Sequence, residues 1–314
     1  MKVLKAAWET NLVVRPEKDW EKLKGRAVSV EISSKRNLGS VSAKKEIIVC
    51  AGSIGSPQIL LLSGIGPAEE LQNFGINVVS NLVGVGKNLQ DHLQARPVFK
   101  TDLTTINNET NNYFKKALIG LQYILTQSGP MTMAASLGTG FLRTESHLET
   151  PDIQFHIQPF SADMPSTRPH AFSAFTASVL QLRPESTGFL TLKSPNYNDH
   201  PDIHPNYLAT DTDCRTIVKA VQMARRIVEY EPLKKHILEE YAPGGDVAFD
   251  DEQATLDWVR KTAVTIYHPT GTCKMGTDEM SVVNPSLKVR GVDCLRVADA
   301  SIMPKITSGN TNAP

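Results

Sequence analysis

The sequence predicts a two-part α+β/α/β fold on three observations. An apolar strand, Glu46-Ile47-Ile48-Val49-Cys50, runs through Ala51-Gly52-Ser53 into an apolar helix, the strand-turn-helix step of a doubly wound sheet. Ile153-Gln154-Phe155-His156-Ile157-Gln158 alternates apolar and polar strictly, which implies an antiparallel sheet with one buried and one exposed face. Asp211 to Glu229 sets Ile217, Val218, Val221, Ala224, Ile227 and Val228 at helical spacing, so a long helix flanks that sheet.

Taken in order, Ala27 to Ile32 reads as a first strand and Glu46 to Cys50 as a second, continuous in apolar residues as a strand buried on both faces would be. Ser56-Pro57 reads as an N-cap followed by proline at the first helical position, and Gly64 as the stop. A helix N-terminus after a glycine turn presents main-chain N–H groups to an anion or a polar cofactor edge. Tyr113 to Gln127 forms an amphipathic helix with Phe114, Ala117, Leu118, Leu121, Ile124 and Leu125 on one face and Gly129-Pro130 behind it. Ala171 to Leu182 and Gly188 to Lys193 read as further strands, and Leu256 to Arg260 suggests a shorter helix. Leu295-Arg296-Val297 is a strand that delivers Asp299 and Ala300 to its carboxyl end, the end where doubly wound sheets bind ligands.

Composition narrows the function classes. Of 314 residues, 40% are hydrophobic and 21% charged, enough for two domains with a sizeable core. Lys and Arg number 33 and Asp and Glu 33, so no net field selects nucleic acid as a partner. Apolar stretches such as that around Ile59 to Leu62 fall far below the roughly 18 residues of a membrane span, so no transmembrane segment is expected. Glu9 interrupts any signal-peptide core behind Lys2 and Lys5, and a cytoplasmic or peripherally membrane-attached protein is expected. Cys50, Cys214, Cys273 and Cys294 have no Cys-x-x-Cys spacing and read as thiols. In Asp199-His200-Pro201-Asp202-Ile203-His204 the prolines prevent the helix that would align the two histidines, so no metal site is expected.

Three segments carry the chemistry: Tyr267-His268-Pro269-Thr270-Gly271-Thr272-Cys273-Lys274-Met275-Gly276, then Ala298-Asp299-Ala300-Ser301, then Ser308-Gly309-Asn310-Thr311-Asn312. With Gly52-Ser53-Ile54-Gly55-Ser56-Pro57-Gln58-Ile59-Leu60-Leu61-Leu62-Ser63-Gly64-Ile65-Gly66, they resemble the glucose-methanol-choline (GMC) oxidoreductases, and among them the bacterial choline-dehydrogenase-like alcohol dehydrogenases. The resemblance runs from about Gly25 to the end and implies FAD as cofactor and oxidation of a primary alcohol to an aldehyde by hydride transfer to the flavin. It implies His268 as catalytic base and Asn310 as its partner, with Ala51, Gly52, Tyr267, Asp299, Ala300, Asn310 and Thr311 against the cofactor. Both roles suit the residue types, because histidine titrates near neutral pH and an asparagine amide donates to a developing alkoxide without titrating.

The implied organisation is part of a Rossmann-like FAD-binding domain in residues 1–95, a substrate-binding domain in 96–265, and a returning FAD-binding segment in 266–314. Val83 to His92 is similar to the family's lid-like segment over the flavin, and Phe155, His156, Phe160, His170 and Phe172 fall in the pocket-lining region. A quinone or other acceptor would take the electrons, and a homo-oligomer is compatible. Met131 to Leu142 offers no aromatic cage beyond Phe141, which favours a neutral alcohol over choline. No Gly-x-Gly-x-x-Gly occurs, and the charged run Pro16 to Leu23 stands where relatives bring a strand to the adenine. The chain therefore reads as the C-terminal portion of such an enzyme; the alternative is a non-catalytic remnant or substrate-binding module unable to hold FAD.

Overall fold

The computed structural model describes residues 11–16, 25–34, 37–110, 113–133, 136–164 and 167–313. Most of the Pro16 to Leu23 run lies outside them. The chain divides into two compact units, one built from residues up to Asp91 with Ser186–Tyr207 and Tyr267 onward, the other from His92–Glu185 and Leu208–Ile266. Residues 186–207, inside the 96–265 span, pack in the first unit.

In the first unit, Ile47–Val49 pairs in parallel with Leu295–Val297, residues far apart in sequence. The pairing continues past the strands, where the Ala298 N–H donates to the Val49 carbonyl at 2.9 Å. Ile47, Val49, Leu295 and Val297 are buried with Leu60 and Leu61 of the Gly52–Leu62 helix. Burial on both faces does not hold: Ile48 is 40% exposed and Cys50 is exposed, so this strand faces a core on one side. A run of apolar residues fixes the strand but not how many faces receive a packing layer. A three-stranded antiparallel sheet, Asn11–Pro16, Ala27–Ser34 and Asn37–Ser42, completes the unit's larger pairings.

The helix after the glycine turn begins at Gly52, earlier than the Ser56 cap expected. Pro57 thus sits inside it, where it cannot donate to the Ser53 carbonyl four residues back. The Thr272 hydroxyl donates to that carbonyl instead, at 2.6 Å. Gly64, at φ +80, ends the helix as expected; a Cβ there would lie 2.2 Å from the Asn77 carbonyl oxygen.

In the second unit a seven-stranded antiparallel sheet runs Ile237–Ala242, Val98–Thr101, Ala174–Gln181, Ile153–Gln158, Gly138–Leu142, with Leu93–Ala95 also on Ala174–Gln181 and Val264–Thr265 on Leu93–Ala95. Ile153, Phe155 and Val179 pack on Ile217, Val221 and Ala224 of the Asp211–Ile227 helix. That helix starts where the Thr210 hydroxyl accepts the Asp213 N–H. The alternating strand departs from expectation on its other side: Gln154 is 2% exposed and His156 9%, so the polar face is sequestered too. Arg225, buried, holds Glu240 at 2.8 Å and donates to the Val247 carbonyl at 2.8 Å. Burial pushes the Glu240 carboxyl up and Arg225 partly offsets it.

The Tyr113–Thr126 helix forms as expected, but its apolar row is not buried: Phe114 is 72% exposed and Leu125 72%. Periodicity decides which residues share a face, whereas burial depends on what meets that face.

Candidate active site

The parallel strands end in two loops that close on each other within the first unit. The Asp299 carboxylate accepts the Gly52 N–H at 3.0 Å and the Ser56 hydroxyl at 2.5 Å through one oxygen, and the Ser301 N–H at 2.8 Å through the other. A remote side chain therefore performs the capping expected of Ser56, and the Ser56 hydroxyl accepts the Ala51 N–H at 3.0 Å. Gly52 lies at φ +77, and a Cβ there would find nothing within 4 Å, so open space adjoins the main chain at this strand end.

Residues 271–275 run beside 300–302: the Gly271, Cys273 and Met275 N–H groups donate to the Ala300, Ser301 and Ile302 carbonyls at 3.3, 2.8 and 2.8 Å. On their other side Gln90 and Thr270 exchange main-chain hydrogen bonds of 2.8 and 3.1 Å. Two neutral amides clip the loops together. The Asn88 amide donates to the Gly271 and Pro304 carbonyls at 3.3 and 3.2 Å, while the Gln90 side chain donates to Pro304 and accepts from the Ile306 N–H, both at 3.2 Å. Gly271 makes the close approach feasible, since a Cβ there would lie 2.4 Å from the Asn88 carbonyl oxygen.

His268 is held in this frame. Its main-chain N–H donates to one Asp91 carboxylate oxygen at 3.0 Å, and the Tyr207 hydroxyl donates to the other at 2.5 Å. His268 is 9% exposed. Burial lowers its pKa below the usual histidine value, and the Asp91 charge works against that shift. Tyr267 beside it sits at φ +64 and is 74% exposed, a left-handed conformation that costs a non-glycine residue about 1 kcal/mol or more. The preceding residue's turn thus aims His268 inward while Tyr267 stays at the surface.

Of the residues singled out in the sequence, Gly52 and Asp299 are joined directly, Ala51 through Ser56, and Ala300 to the loop bearing His268. Asn310 lies exposed in a turn closed by the Ala313 N–H on its carbonyl at 3.1 Å, with Thr311 half-buried next to it. Asp91, Tyr207, Asn88, Gln90 and Thr272 were not anticipated. Asp91, Asn88 and Gln90 lie in the Val83 to His92 stretch, where a carboxylate amid glycines, amides and a histidine is the signal the sequence carries. In the second unit, His170 bonds Ser161 and Asp163, both at 2.9 Å, and stacks on Phe172 with centroids 4.8 Å apart. The His156 carbonyl accepts the Ser178 hydroxyl at 3.1 Å. His204 lies in the Asp202–His204 strand, and no cluster of metal-binding side chains occurs among the described residues. No helix is long and apolar enough to cross a membrane among those residues.

Comparison with known proteins gives this arrangement its family. The N-terminal GMC oxidoreductase profile matches residues 1–94 and the C-terminal profile residues 184–314. The chain belongs to the GMC oxidoreductase family. Among GMC proteins and their relatives, it is 39% identical over 270 residues to the alcohol dehydrogenase [acceptor] of Pseudomonas putida, covering 86% of this chain and 49% of the relative. It is 39% identical over 292 residues to the mitochondrial choline dehydrogenase of Mus musculus, covering 92% and 48%. A solved formate oxidase variant of Aspergillus oryzae, studied for FAD modification, superposes with a TM-score of 0.85 at 25% identity over 96% of this chain and 56% of that one. This GMC chain thus spans about half the length of the relatives it matches.

Proposed function

We propose that this chain carries the catalytic end of an FAD-dependent enzyme that oxidises a primary alcohol to an aldehyde. The observation that supports it best is His268, buried and anchored by Asp91 in the loop that runs on beside Asp299 and Ala300. His268 takes the proton of the substrate hydroxyl, the role its lowered pKa suits because the imidazole stays neutral and ready to accept near neutral pH. The Asn310 amide donates to the substrate oxygen as the proton leaves.

The strand-end loops leave room for FAD beside Gly52, where open space adjoins the main chain at the carboxyl end of two parallel strands. Ala51, Gly52, Asp299 and Ala300 would hold it along the loops, with Tyr267, Asn310 and Thr311 near the reacting end. FAD, when bound, supplies the hydride acceptor. In this reading 1–95 and 266–314 belong to the FAD-binding domain and 96–265 to the substrate domain. A quinone or other acceptor would take the electrons, in keeping with the name of the Pseudomonas relative, alcohol dehydrogenase [acceptor].

One observation favours the second reading, a module that keeps the site but holds no FAD: the Gly52 N–H, expected to face the cofactor, is already taken by Asp299. The visible absorption spectrum of the purified chain, incubated with FAD and freed of unbound cofactor, separates the two. Flavin bands that bleach with a primary alcohol, and persist unbleached in His268→Ala, support the enzyme. A colourless chain supports the module.

A further inference from the structure

A buried carboxylate spanning two loops of a candidate active site requires a reason to be there, since burial of a charge is costly unless each oxygen is bonded. Asp91 is 8% exposed, and both of its oxygens are used. One accepts the His268 main-chain N–H at 3.0 Å and the other the Tyr207 hydroxyl at 2.5 Å. Its neighbour Gln90 is tied to Thr270, two residues beyond His268, so the segment 90–91 grips 268–270 at both ends. Tyr267, just before this gripped segment, is left-handed at φ +64, a conformation that persists only where the surrounding structure holds it.

We infer that Asp91 is a positioning residue for His268: it fixes the backbone that bears the imidazole and sets a negative charge near the ring, while Tyr207 fixes the carboxylate itself. The inference rests on the reading of His268 as base only for its catalytic consequence; the coupling of the two residues stands apart from it. The Asp91 charge acts on the imidazole, the Tyr207 hydroxyl donates to that carboxylate, and Tyr267 adjoins His268 in sequence. When an imidazole accepts a proton from a hydroxyl, the imidazolium that results is stabilised by a carboxylate whose position is already set. The step moves one proton, from the hydroxyl to the imidazole, while the His268 N–H and the Tyr207 hydroxyl keep the carboxylate in place.

Two substitutions separate geometry from charge. Asp91→Asn keeps an oxygen for the His268 N–H and removes the charge; Asp91→Ala removes both. The readouts are the NMR titration of the His268 imidazole in the 314-residue chain, assigned by its loss in His268→Ala, and the rate of alcohol oxidation where flavin is retained. The expected result is a His268 titration displaced to lower pH in Asp91→Asn, with the melting profile near wild type. Turnover in Asp91→Ala should fall by about 10-fold to 100-fold with KM little changed, the effect of a misplaced catalytic group. An unmoved titration in Asp91→Asn overturns the inference, even if Asp91→Ala fails to fold. Full activity in His268→Ala would instead remove the base assignment, while the titration would still report whether Asp91 acts on His268.

Discussion

The Asp299 carboxylate caps the helix that begins at Gly52, accepting its N–H at 3.0 Å from across almost the whole chain. The same oxygen takes the Ser56 hydroxyl, so one side chain seals the turn between a strand and its helix. Asp299→Ala is expected to lower stability by about 1–2 kcal/mol, the cost of losing an N-cap. Urea unfolding of both proteins measures it, and an unchanged midpoint would show that the cap contributes nothing.

Thr272 answers for Pro57. Its hydroxyl fills the acceptor that proline leaves open on Ser53, so Thr272→Val should cost about 1–3 kcal/mol for an unsatisfied buried carbonyl. Pro57→Ala in that background restores a helical N–H donor and should recover part of the loss. A double-mutant cycle reads the coupling, and strict additivity would refute it.

Gly271 permits contact between the His268 loop and the Asn88 loop. Gly271→Ala places a carbon 2.4 Å from the Asn88 carbonyl at a φ of +90. The expected loss is about 1–3 kcal/mol from backbone strain alone, followed by thermal unfolding, with reduced retention of flavin if the loops part.

The acid limb of alcohol oxidation should fall below pH 6.5, the ordinary histidine value, because burial lowers the His268 pKa. The sign follows from the neutral form being the base: activity is full above the folded pKa and is lost as pH drops through it. The same residue favours the folded state above its unfolded pKa and withdraws that support as the pH falls. A kcat/KM profile with its limb above 6.5 would contradict this.

Local pattern made the elements legible: the Ile47–Val49 and Leu295–Val297 strands, the alternating Ile153–Gln158 strand and the Asp211–Ile227 helix all occur where the periodicity puts them. The site was legible as motifs, since His268 and Asp299 announce themselves by their neighbours in sequence. Their partners were not, because Asp91 reaches His268, and Thr272 reaches Ser53, only after loops from opposite ends of the chain meet. The same gap explains the Gly52 helix start. A cap supplied by Asp299 leaves no trace near residue 52, whereas Ser56-Pro57 looks locally like a beginning.

Asn88 and Gln90 tie the loops at Gly271, Pro304 and Ile306 with side chains that carry no charge at any ordinary pH. Such a fastening is indifferent to protons and is hardly weakened by salt. These amide ties can therefore stay fixed through an acid titration or a rise in ionic strength, so that a response of the frame to either falls on its ionisable members, the His268 imidazole and the Asp91 and Asp299 carboxylates.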